Sequence, residues 1–267
     1  MEELRKKAKE LLESKQAQIV IGYGEGSNHR VQAVFIQSPN EVDKLIYDEG
    51  CLQNLGVYLL KPEVKKRGKP AIVAPLPVLR TVLQLAVEEQ ITENDLIVLG
   101  ISDDGKLLDM PNFQAIEQYI ASRDLNYTEQ EQQELETIRK LTLEKRLQYW
   151  QDELSQCFKC YACRQACALC YCSRCTVECN QPQWIAVPSH DLGNLEWHVM
   201  RAMHLAGRCI NCGDCARACP LDIPLNLLNQ VLAEDIHKSF GVRAGTSTKR
   251  EYALSTFKPD DKEDFIG

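Results

Sequence analysis

Twelve of the thirteen cysteines lie within 63 residues, from Cys157 to Cys219. Cys157, Cys160, Cys163 and Cys167 read C-x2-C-x2-C-x3-C, and Cys209, Cys212, Cys215 and Cys219 repeat that spacing, with Pro220 after the last. A cubane iron–sulfur cluster needs four thiolates, and three from one tight loop plus one from a distant segment meet that need. Where two such runs occur together, the fourth cysteine of each ligates the other cluster. The spacing therefore predicts one 4Fe–4S cluster on Cys157, Cys160, Cys163 and Cys219, and a second on Cys209, Cys212, Cys215 and Cys167. Between the runs lie 41 residues that hold Cys170, Cys172, Cys175 and Cys179, in C-x-C-x2-C-x3-C. Four more thiols predict a third metal site. Iron–sulfur is favoured over zinc there, because the flanking loops already read as cubane loops. Cys179 is the natural fourth ligand, and Cys51 is the rival if the first domain packs on this loop.

Other chemistries fit less well. A disulfide framework belongs to secreted chains, whereas Met1-Glu2-Glu3-Leu4 opens acidic and polar, without the apolar core of a signal peptide. Structural zinc usually shows ligand pairs at C-x2-C rather than triplets closing in x3-C. His29, His190, His198, His204 and His237 form no ligand spacing, and no nucleophile–base triad emerges, so no catalytic residue is assigned. The net charge of −7 sits in residues 1–155, so there is no basic field for nucleic acid. No apolar stretch approaches the ~20 residues of a membrane span. An oxidised cubane on four thiolates carries a charge of about −2. Lys159, Arg164, Arg174, Arg208 and Arg217, within or beside the cysteine loops, are candidates to offset it.

The elements that must position these loops follow from periodicity and punctuation. Residues 3–14 suggest an amphipathic helix, and 18–21 and 31–36 read as strands. The intervening Gly22-Tyr23-Gly24-Glu25-Gly26 reads as a hairpin-like turn needing positive φ. Ser38-Pro39-Asn40-Glu41 has the form of a capping box and predicts a helix to about Leu55. Residues 71–74 and 96–100 are predicted strands; 77–89 and 112–122 are predicted helices. This order argues for an α/β layer over residues 1–126. Thr128-Glu129-Gln130-Glu131 is a second capping box, opening a charged stretch to about Ser155 without Gly or Pro; it predicts one long connecting helix over 127–155. Helices over 194–206 and 225–239 flank the cluster loops. Residues 156–241 thus read as an α-helical dicluster ferredoxin domain, and 242–267 as an extended tail, disordered or laid along a partner. The fold class expected is α+β overall.

The stretch from Cys157 to Cys172, and again that from His204 to Cys215, resembles the beta subunits of formate dehydrogenases and of deazaflavin-coenzyme hydrogenases and dehydrogenases. Related proteins occur beside heterodisulfide-reductase-like complexes. Tyr47 to Leu59 is similar to that family's segment after its first strands, and the resemblance covers most of residues 16–240. It implies an electron-transfer iron–sulfur subunit of a cytoplasmic anaerobic oxidoreductase complex, with the other subunits of a formate dehydrogenase, hydrogenase or heterodisulfide-reductase-like assembly as partners. Larger relatives have an additional flavin-binding region, which makes FAD a further candidate cofactor. The alternative expectation is a flavin-containing subunit that itself oxidises or reduces a nicotinamide or deazaflavin coenzyme. A third is a scaffold or redox sensor in which the clusters are structural.

Overall fold

The computed structural model describes residues 1–179 and 181–249. Helix α1 (Glu2–Glu13) buries Leu4, Ala8, Leu11 and Leu12, the face that its apolar spacing dictates. Strands β1 (Ile19–Glu25) and β2 (Val31–Ile36) follow as an antiparallel pair. After helix α2 (Pro62–Lys65) come β3 (Pro70–Ala74), α3 (Leu76–Val87), β4 (Ile97–Ile101), the two-residue β5 (Leu107–Leu108) and α4 (Phe113–Ala121). The sheet order is β2-β1-β3-β4-β5. Its three central strands are parallel, and β3 is buried along its whole length, as a strand covered on both faces must be. The α/β layer expected from strand–helix alternation is therefore present.

Two expectations in this layer fail for physical reasons. Gly22 and Gly24 are interior residues of β1 with no positive φ. They are glycines because a Cβ at Gly22 would collide with the Leu45 side chain, and one at Gly24 with Val34. The turn itself falls at Gly26–Arg30, where Asn28 and His29 take left-handed backbone. The helix expected after Ser38 is only a 3-10 turn, Pro39–Lys44. Glu41 pairs with Lys44 instead of closing a capping box. Beyond it Leu45 is extended and fully buried, and the Ile46 N–H donates to the Tyr23 carbonyl at 2.9 Å. Pairing with the edge of β1 overrides local helix propensity.

The second half is helical: α5 (Glu129–Arg139), α6 (Leu143–Ser155), α7 (Ala162–Ala166), α8 (Asp191–Leu205), α9 (Asp214–Arg217) and α10 (Leu225–Phe240). The single connecting helix expected over 127–155 is thus two helices. Thr128 closes its capping box with Glu131 as predicted. Thr142 then caps a new helix, accepting from the Lys145 N–H, while Arg146 donates to the carbonyls of Arg139 and Leu141 and so satisfies the end of α5. Leu135, Ile138, Trp150, Leu154, Trp197 and Leu225 join in one helical core. A second core, centred on the sheet, takes in Leu169, Leu205, Ile210 and Ala244 from the cysteine half. Residues 243–249, the start of the expected tail, lie on the chain's own α/β layer: Gly245 N donates to Gln84 Oε1, and Thr248 N and Oγ1 to Glu117. Residues 250–267 of that tail lie outside the described residues. Among the described residues no helix is long and apolar enough to cross a membrane.

Candidate metal centre

The two C-x2-C-x2-C-x3-C runs fold as conformational copies. Lys159 and Tyr161, two and four residues after Cys157, have φ of 56° and 61°. Asn211 and Gly213, at the same offsets from Cys209, have φ of 59° and 77°. Each left-handed pair curls the backbone about the first cysteine and then starts a short helix, α7 after Tyr161 and α9 after Gly213. The curl aims an N–H at sulfur: Lys159 N lies 3.3 Å from Cys157 Sγ, and Asn211 N lies 3.4 Å from Cys209 Sγ. Only Gly213 adopts this backbone without steric cost. Tyr161 accepts the strain of a left-handed residue with a bulky side chain, and its ring packs edge-on against Trp197.

The copies face one another, with α7 packed on α9. Burial pushes the Cys157 thiol up, the Lys159 N–H opposes the rise, and Cys160 and Cys219 add to it. Cys157, Cys215 and Cys219 pack against the same helical core. Cys215 sits near Cys163, and Asn229 Nδ2 reaches its sulfur at 3.7 Å. Burial pushes Cys163 and Cys212 up to about 11 and Cys209 up to about 12. Cys167 hydrogen-bonds Cys170, which together with burial raises the Cys170 thiol far above its ordinary range. Cys160, Cys172 and Cys179 are exposed.

The insert's cysteines divide. Cys170, Cys172 and Cys175 line a cavity of about 350 Å³ with Trp197, Arg201 and Arg208. Cys179 lines a separate depression with Arg174 and Glu178. Cys51 is buried in the loop after β2, where its sulfur accepts from Asp48 N at 3.3 Å. Among the described residues no three His, Cys, Asp or Glu side chains converge on a point where one metal ion would fit. A cubane is held from around a cage rather than at a point. Duplicated loops, inward N–H donors and half-buried thiols suit such a cage.

The cations distribute differently from the sequence reading. Arg164 pairs with Glu178 at 2.8 Å, Arg208 with Glu88 at 2.5 Å, and Arg217 with Asp214 at 2.5 Å. Lys159 is buried, with Nζ donating to the carbonyls of Ala186 and Pro188. Arg174 is exposed. Arg201, on α8 and not among the cations that spacing singled out, donates to the Cys163 carbonyl and lines the cavity of Cys170, Cys172 and Cys175.

The cysteine half is tied to the sheet half by buried polar links. Glu88, at the end of α3, accepts from Arg208 and from the Tyr171 hydroxyl, and Arg208 lies over the Tyr171 ring. Asp214 accepts from Asn54 N at 2.8 Å, and Asn54 Nδ2 donates to Thr81 Oγ1 at 2.7 Å. Asn54 belongs to the segment Tyr47–Leu59, so that segment's place in the molecule is against the second cysteine loop.

Fold and site together define a protein of mixed α and β structure, with a five-stranded, partly parallel sheet and a duplicated cysteine loop. No model of a protein family matches the chain. Over 105 residues the chain is 35% identical to the F420-dependent formate dehydrogenase subunit beta of Methanocaldococcus jannaschii, a stretch that is 39% of this chain and 26% of that protein. The resemblance to the beta subunits of formate dehydrogenase is borne out over that stretch.

Proposed function

We propose that this chain is an electron-transfer subunit of an oxidoreductase complex, holding two 4Fe–4S clusters on its crossed cysteine runs and a third centre on the insert. The observation that carries this reading is the repeated loop conformation, with an N–H directed at the first sulfur of each run and the two short helices packed on one another. When bound, such clusters take up and release single electrons. The chain's own groups hold them by thiolates, direct N–H donors at sulfur and limit water, and these are the factors that set cluster potentials. The likeness to a formate dehydrogenase beta subunit supports a place in a multisubunit assembly. A cytoplasmic location accords with so many unpaired cysteines.

The cavity that Cys170, Cys172 and Cys175 line supports the third centre of this reading, with Cys179 the nearer in sequence of the two candidates for its fourth thiolate.

Stopped-flow mixing of the anaerobically loaded, pre-reduced chain with a one-electron acceptor tests the proposal. The account expects rapid, reversible oxidation and no turnover of a small organic substrate by the chain alone. Flavin-dependent reduction of a nicotinamide or deazaflavin coenzyme by the purified chain would overturn it.

A further inference from the structure

Arg201 is a buried cation without a carboxylate. It is 5% exposed, and among the described residues no Asp or Glu forms an ion pair with it. Its Nη2 donates to the Cys163 carbonyl at 3.0 Å, and its Nε is buried with no hydrogen-bond partner. A guanidinium stays protonated in proteins, and a buried charge without a counter-charge costs several kcal/mol. Cys163 belongs to the first run. The same guanidinium lines the cavity of Cys170, Cys172 and Cys175. Neighbouring Trp197 and His198 bring no negative charge. The remaining loop arginines with partners are already neutralised by Glu178, Glu88 and Asp214.

We propose that Arg201 is a shared counter-ion of the cysteine-held centres, a fixed positive charge between the first run and the insert that raises the potentials of more than one of them together. The proposal rests on the cluster-bearing reading above. Its physics is direct. Each reduction adds an electron to an already anionic centre, and a nearby fixed cation in a water-poor site favours that step. Because the charge lies between the first run and the insert, its removal is felt by more than one centre.

The test is an anaerobic redox titration of the full-length, iron-loaded chain, followed by electron paramagnetic resonance, with iron and sulfide measured on every sample. Arg201→Gln keeps a donor for the Cys163 carbonyl and removes the charge. It is expected to shift the midpoint potentials of at least two centres to more negative values. Arg201→Lys keeps the charge and is expected to stay near the wild type. The double variant Lys140→Gln with Glu136→Gln removes a neutral pair outside the cysteine loops and is expected to shift none. Unchanged potentials in iron-replete Arg201→Gln, or a shift confined to one centre, would overturn the proposal. If Arg201→Gln loses iron, retention in Arg201→Lys supports a need for charge, whereas equal loss in both reduces Arg201 to a hydrogen-bond donor and overturns it. A wild-type chain with fewer than about eight irons refutes the two-cluster reading instead, a failure distinct from this one.

Discussion

Cysteine spacing is legible in sequence because cluster ligation fixes it: a loop that presents three sulfurs to one cage tolerates few lengths. The partners of the charged side chains are not legible. Arg208 reads as a loop cation beside Cys209, but its carboxylate, Glu88, is 120 residues away. Arg201 reads as one polar residue on an amphipathic helix. A signal was available, since its helical neighbours at three and four residues, Trp197, His198, His204 and Leu205, include no acid. His198, on the same helix, shows what this neighbourhood does to a titratable group. Burial, then Arg201 and Lys159, push it down to about 3, and its Nε2 has no partner. The folded pKa lies below the ordinary value of 6.5, so the unfolded chain takes up the proton first. Stability is then fully present above about pH 6.5 and is lost as pH falls toward 3, at up to about 1.4 kcal/mol per pH unit. Urea unfolding midpoints should fall as the pH drops from about 6.5 to about 5, and His198→Gln should flatten that slope. An equal slope in both proteins would remove His198 from the account.

Local pattern sets the elements wherever packing agrees with it. The faces of α1, α3 and α4, the strands of the parallel sheet and the capping box at Thr128 all follow from periodicity and punctuation. Pattern fails where a distant partner intervenes. Ile46 pairs with β1, ending the helix that Ser38 and Pro39 begin, and the glycines of β1 answer to Leu45 and Val34 rather than to a turn. The break between α5 and α6 has a local cause that is easily overlooked in a stretch without Gly or Pro: Thr142, an N-cap residue one position before an apolar residue. Its hydroxyl accepts from Lys145 N. Thr142→Ala should cost about 1 kcal/mol of stability in chemical denaturation, whereas Thr137→Ala, within α5, should cost less. A cost for Thr142→Ala no larger than that for Thr137→Ala would mean that the cap does not define the break.

At the scale of the molecule, sheet half and cysteine half share a core, and the chain returns over the sheet half at residues 243–249. Sequence alone divides these halves at a linker, because it does not reveal that Glu88, Asn54 and Gln84 are reserved for residues more than 80 positions away. Glu88 has a side chain only 4% exposed and meets both Arg208 and Tyr171. Glu88→Ala leaves a part-buried guanidinium without its carboxylate and should destabilise the protein by up to about 3–5 kcal/mol, read as a lowered unfolding midpoint. A change within about 0.5 kcal/mol, the range of ordinary surface substitutions, would show that this link does not hold the halves together. Docked in this way, the second cysteine loop is pinned through Asp214 to Asn54, and the first faces it across α7 and α9. The central claim is that these two loops hold a pair of cubanes. Iron and acid-labile sulfide per chain, measured after anaerobic loading of the intact protein, address it most directly. The account predicts about 8 to 12 of each, and about four or fewer in fully loaded protein would contradict it.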